Sequence, residues 1–227
     1  MKKIRIRSAA ALLLNALNFV LVFVSILWFF SEEGSLGGGN MRTGSTGCFR
    51  FFTNDSNILC ALISAGMIPF EICSIVTGNS SVPWGMTILK FVGTCAVTLT
   101  MTVVIFFLGP TQGYAKMFSG VCLELHLICP LLAIISFCFF ERENLLTRRD
   151  TLYALLPTFI YGSIYLILVV FVKKWPDFYG FNIAGLWPVS YAVLLLVTYL
   201  LALLLRCLHT GRKTPADQAQ HSQFEQI

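Results

Sequence analysis

The sequence predicts an all-α fold: a polytopic membrane protein built as a six-transmembrane-helix bundle, with both termini cytosolic. Three observations carry that expectation. Of the 227 residues, 56% are hydrophobic and only 12% charged, at a mean hydropathy of +0.77, whereas a soluble domain is about half apolar and roughly a quarter charged. Such a chain has too little polar surface to clothe a soluble core. Six apolar runs, near 8–30, 52–77, 86–108, 118–140, 152–172 and 184–205, each approach the roughly 20 residues a helix needs to cross the hydrocarbon layer. None alternates apolar and polar residues as a membrane β-barrel does, and a helix satisfies its backbone hydrogen bonds within its own segment. The basic residues, finally, are unevenly divided. One side of the six spans holds Lys2, Lys3, Arg5, Arg7, Arg142, Arg148, Arg149, Arg206, Arg212 and Lys213, and the other Arg42, Arg50, Lys116, Lys173 and Lys174. The richer side is expected to face the cytosol.

The first run follows Lys2, Lys3, Arg5 and Arg7 and resembles a signal peptide, but it is too long and ends in Trp28-Phe29-Phe30-Ser31-Glu32-Glu33 without a small-residue cleavage pattern. It is expected to be retained as the first helix. The connection after it is rich in glycine, from Gly34 to Gly47, and is expected to be flexible. The second run opens on Phe51-Phe52-Thr53-Asn54-Asp55-Ser56-Asn57. The third leads into Gly109-Pro110-Thr111-Gln112-Gly113, which predicts a tight turn. The fourth carries Glu124 and His126, and the fifth ends at an aromatic connection containing Trp175, Phe178, Tyr179, Phe181 and Trp187, an interfacial belt or a lid over a lipid-accessible pocket. Residues 1–210 form the membrane domain and 211–227 a disordered polar tail.

Several functions are disfavoured by this pattern. The net charge of +5 is split among short juxtamembrane segments and makes no stripe for nucleic acid. Eight cysteines include no CxxC pair and read mainly as apolar filler, with Cys48 in a connection and Cys207 beside the last helix. No metal site or cofactor is expected, because the single intramembrane histidine has no matching ligand pair. Membrane lipids are the expected partners, and the oligomeric state is left open.

Function is sought among the polar residues that a bilayer makes costly, on the order of 3 kcal/mol for a carboxylate at mid-helix. They are Asn15, Asn18, the Thr53–Asn57 cluster, Glu71, Glu124 and His126. Thr53 and His126 both lie in the half of the membrane away from the termini, His126 about 12 Å deep at 1.5 Å per residue. A threonine hydroxyl becomes a nucleophile when a base takes its proton, and a first-turn position adds helix N–H groups that can steady an oxyanion. Thr53, Asn54 or Asp55 also fits as the N-cap of the second helix, and His126 as an interhelical hydrogen bonder. Cys122, one turn before His126, is a rival nucleophile.

The Phe51-Phe52-Thr53-Asn54-Asp55-Ser56-Asn57 run and His126 with Pro130 resemble the androgen-induced-protein family of small six-helix membrane proteins, bacterial-like members most closely. The resemblance implies an intramembrane hydrolase of fatty acid esters of hydroxy fatty acids, with Thr53 as nucleophile and His126 as base. Asn57 and Asp55 are the expected polar groups on the substrate side, Asn57 steadying the oxyanion. Tyr165 and Trp187 are the expected aromatic walls of an acyl cavity lined by the fifth and sixth helices. The Thr53 hydroxyl and a His126 ring nitrogen are expected to share that cavity at about 3 to 5 Å. The alternative is a noncatalytic carrier or channel for a small solute, using the same polar cluster.

Overall fold

The computed structural model describes residues 2–30, 47–142 and 144–211. The glycine-rich connection, the tail beyond Gly211 and the basic residues Arg42, Arg212 and Lys213 lie outside the described residues. Within them, six helices are long and apolar enough to cross a membrane and no strand occurs. They are α1 (Lys2–Phe30), α2 (Phe52–Thr77), α3 (Trp84–Gln112), α4 (Val121–Phe140), α5 (Arg149–Phe171) and α6 (Trp187–Thr210). The protein is an integral multi-pass membrane protein of the all-α class.

The bounds of α2 coincide with its apolar run, while α3 runs further than expected. Gly109–Gln112 continues the helix, and the chain turns at Gly113, whose φ of 95° favours glycine. Pro110 falls in the last turn of this helix and did not end it. Just before it, Val104–Leu108 widens to π geometry, as Glu124–Ile128 does before Pro130 in α4. A proline ring crowds the carbonyl four residues back and donates no N–H, and a widened turn relieves both effects. His126 stands in the middle of the second of these turns.

Helix α1 presents a seam of Ser8, Ala11, Asn15, Asn18, Val22 and Ser25, all buried, at alternating three- and four-residue steps. Small side chains at such spacing let helices approach closely where no hydrophobic effect drives them together. The seam is also wired. Asn18 donates to the Cys129 carbonyl of α4 at 2.9 Å, and Ser25 to the Glu124 carboxylate at 2.7 Å.

Nearer the termini, four helices converge on an ion pair. Lys90 of α3, 1% exposed, lies 3.6 Å from the carboxylate of Glu141, 2% exposed, at the end of α4. Its ammonium also donates to Asn15 of α1 and to Ser64 of α2. The same Glu141 oxygen accepts hydrogen bonds from Asn15 at 2.7 Å and from Ser136 at 2.5 Å. Lys90 is therefore an interior residue. Arg5 reaches the Val76 carbonyl, Arg7 the Phe140 carbonyl and Arg142 the His209 carbonyl, so the ends of α2, α4 and α6 gather around the start of α1. That terminal end is closed by side-chain-to-backbone bonds, and the opposite end holds the cleft.

Candidate functional site

Helix α2 begins without a polar cap residue: its N-cap is Phe51, whose own side chain makes no bond to the first turn. Neither Thr53, Asn54 nor Asp55 has the capping role. Asn54 instead donates to the Cys48 carbonyl at 2.8 Å, tying the short turn Gly47–Arg50 to the helix. The Phe52 N–H donates to the Tyr179 hydroxyl oxygen at 2.9 Å, and the Thr53 N–H bears on the same oxygen. A phenol from the aromatic connection thus takes the place of the cap.

Around this end a cleft opens between α2, α3, α5, α6 and the connection before α6. The space between its walls, counted out to the open exterior, is about 630 Å³. Leu99, Val103, Val104, Leu108, Leu166 and Leu194 supply the apolar lining. Thr53, Thr100 and Thr158 with Tyr161, Tyr165, Tyr179 and Tyr191 supply hydroxyls, and no charged side chain lines it among the described residues. Such a lining suits an acyl chain with a neutral polar group and disfavours a free carboxylate or phosphate.

Of the six site residues expected from sequence, Thr53 and Tyr165 line this cleft. The Thr53 hydroxyl takes no hydrogen-bond partner among the described residues. Tyr165 donates to the Asp177 carboxylate at 2.6 Å. Asp177 also accepts the Phe181 and Asn182 N–H groups at 3.0 and 2.8 Å, which holds the aromatic connection folded over the cleft. Trp187 is not on the wall. It packs edge-on against Phe171, with ring centroids 5.8 Å apart, one turn too far toward the rim. Asp55 is half-buried on α2 and likewise off the lining.

Asn57 corrects a further expectation. It is fully buried, and its amide nitrogen donates to the Thr53 carbonyl at 2.7 Å and to the Leu125 carbonyl of α4 at 3.0 Å. With both hydrogens used on carbonyls it has none for an oxyanion. Its effect is to bracket the turn bearing Thr53 against the peptide that precedes His126.

His126 is 6% exposed and stands on α4, which contributes nothing to the cleft lining. No hydrogen bond joins it to Thr53, so a proton passing between them requires an intervening water or substrate atom. Its Nδ1 lies 2.7 Å from the Met117 carbonyl. A carbonyl only accepts, so Nδ1 carries the hydrogen and Nε2 keeps the lone pair. Met117 in turn packs with Val104 and Leu108, both cleft residues. His126 is therefore held just behind the α3 wall in the tautomer of a general base.

Cys122 is buried on α4 and also absent from the lining. Among the described residues no three potential ligands cluster as a metal site would require. No family model, characterised protein or solved structure matches the chain. The arrangement of the cleft is thus the basis for any functional reading.

Proposed function

We propose that the protein is an intramembrane hydrolase of lipid acyl esters. The Thr53 hydroxyl attacks the ester carbonyl, passing its proton through a bridging water to Nε2 of His126. The tetrahedral adduct expels the alcohol, which takes that proton, and leaves an acyl group on Thr53. Water activated by the same nitrogen then releases the fatty acid and restores the hydroxyl. The observation that carries this reading is the Asn57 bracket, because it couples the turn holding the cleft's unpartnered threonine hydroxyl to the segment holding a histidine in its basic tautomer. The charge-free lining supports a neutral ester as the reacting group. In an ester of a hydroxy fatty acid, the free carboxylate would then remain at the mouth, where Arg50 is exposed. The resemblance of the Thr53 and His126 motifs to the androgen-induced-protein family adds support, and the excess of basic residues at the terminal end orients the cleft toward the non-cytosolic leaflet.

A fluorophosphonate probe on purified protein tests the mechanism. Labelling is expected on the wild type and on Thr53→Ser, and is expected to disappear in Thr53→Ala and to fall at least about a hundredfold in rate in His126→Ala. Equal labelling of all four proteins would end the hydrolase reading.

A further inference from the structure

Contacts between the elements that form the cleft close it on every side but one. Toward the exterior the aromatic connection covers it: Phe178 packs on Phe51 with ring centroids 4.9 Å apart, Phe181 on Phe107 at 5.9 Å, and the Tyr179 hydroxyl accepts the Phe52 N–H at 2.9 Å. Between α2 and α5, the Tyr161 ring lies 5.1 Å from that of Phe52, and its hydroxyl donates to the Arg50 carbonyl at 2.6 Å and is hydrogen-bonded with the Tyr179 hydroxyl. Between α5 and α6, the Tyr191 ring rests on Gly162 and its hydroxyl donates to the Phe159 carbonyl at 3.0 Å. Toward the termini, hydrogen bonds join Ser56 to Thr100 at 2.9 Å, which also draws α2 against α3, and Thr198 to Thr158 at 3.3 Å. The side that remains lies between α3 and α6. There α3, buried at every residue over 93–100, loses its enclosure at Met101, and none of residues 187–197 of α6 is buried. No hydrogen bond or ring contact joins these stretches among the described residues, whereas nearer the termini Ala202 and Leu205 of α6 enter the same core as Phe91 and Cys95 of α3.

We propose that ligands enter the cleft sideways from the bilayer, through a portal between Leu99 and Val103 of α3 and Leu194 of α6, and that the ligand is the acyl chain of a lipid already resident in that leaflet. All three side chains line the cleft and are apolar. A chain passing between them exchanges one apolar surrounding for another, while a charged or hydrated molecule would lose its water there. Depth agrees with this route. Ser56 meets Thr100, so Thr53 lies one helical turn, about 4.5 Å, to the exterior side of Thr100. That is the level of Val103, three residues along α3, and the threonine and the portal therefore stand at one depth in the membrane. A lipid ester reaches the hydroxyl without leaving its leaflet. The bond that is cut there rests on the hydrolase reading; the route of entry does not.

The test places the purified protein in phosphatidylcholine vesicles doped with a phosphatidylcholine that carries a diazirine in one acyl chain. Thr100 and Thr158 are 3% and 5% exposed and line the cleft, so photoadducts on them report a chain inside it. Adducts on both are expected in the wild type, and are expected to fall at least about tenfold in Val103→Trp and in Leu194→Trp, whose larger rings fill the portal. Phe106→Trp, on an exposed face of the same helix, should leave them unchanged, as should Phe181→Ala, which thins the aromatic connection. A short, water-soluble diazirine carboxylic acid added to the same vesicles is expected to label neither threonine. Absence of the lipid adducts from the wild type, adducts undiminished in the portal variants, or labelling by the soluble acid overturns the assignment, and the wild-type comparison of lipid with acid decides it if neither portal variant folds. Thr53→Ala should abolish ester turnover and keep the adducts. Adducts in a protein that hydrolyses no ester would remove the hydrolase reading and leave the portal in place, and turnover without adducts would do the reverse.

Discussion

Single residues in this protein are governed by partners remote in sequence. Thr53 was legible as a costly polar position at the start of an apolar run, and it lines the cleft. The companion of His126 was not legible. Its acceptor is a backbone carbonyl at Met117, and carbonyls are present at every position of a sequence. Cys48 looked like an isolated thiol in a connection, whereas it is wholly buried against Val22, Ala61, Leu125 and Cys129, and burial pushes its thiol up. Tyr179 was read only as part of an aromatic belt. Its phenol, normally at 10.0 and raised to about 12 by burial, favours folding while it stays neutral. The sign follows from the raised value: this contribution is complete below pH 10 and is lost as pH climbs toward 12. The solubilised protein is therefore expected to hold a constant thermal midpoint up to pH 10 and then to lose stability. About 1–2 kcal/mol of that loss should vanish in Tyr179→Phe. An identical alkaline limb in both proteins would contradict this origin.

At the scale of helices, length and hydropathy were sufficient to find every span, because the bilayer sets a minimum that few other structures meet. The end of α3 and the start of α6 were less readable, since a proline within a terminal turn, such as Pro110 or Pro188, and a proline just beyond a helix look alike without coordinates. Close approach of α5 and α6 depends on Gly162: a Cβ there would stand 2.5 Å from the Tyr191 ring. Tyr191 is a cleft residue whose hydroxyl bonds the Phe159 carbonyl and Ser163. Gly162→Ala forces that ring to move or the helices to part. The expected cost is about 1–3 kcal/mol of stability, together with weaker binding of a long-chain dialkyl ketone as a non-hydrolysable ester isostere, measured by chemical denaturation and by calorimetric titration. If ketone affinity stayed at the wild-type level, the α5–α6 wall would have no part in holding an acyl chain.

Over the whole molecule, two polar systems divide the bundle. The far end carries the cleft, and the terminal end carries Lys90 and Glu141 with Asn15, Ser64 and Ser136. Nothing in the sequence near Lys90 reveals a carboxylate 51 residues later. Removing one ion of a buried pair leaves the other uncompensated, and Glu141→Ala is expected to cost about 3–5 kcal/mol. The double change Lys90→Met with Glu141→Leu should recover most of that loss, because apolar replacement of both ions avoids their desolvation. Unfolding of the purified variants in mixed micelles measures both numbers. A double variant no more stable than Glu141→Ala would show that Lys90 stabilises the bundle through Asn15 and Ser64 instead.

The same ion pair constrains the order in which the chain becomes a membrane protein. Helices leave the ribosome from the N-terminus onward, so α3 reaches the translocon with its ammonium group before Glu141 has been synthesised. Asn15 and Ser64, on the two helices already made, are the groups that meet it first. Helices α1 and α2 are then expected to remain beside the lateral gate until α3 arrives, with α4 bringing the countercharge. Biogenesis is thus expected to release four helices as one parcel, and crosslinks from α1 and α2 to the translocon should persist until α4 has been made.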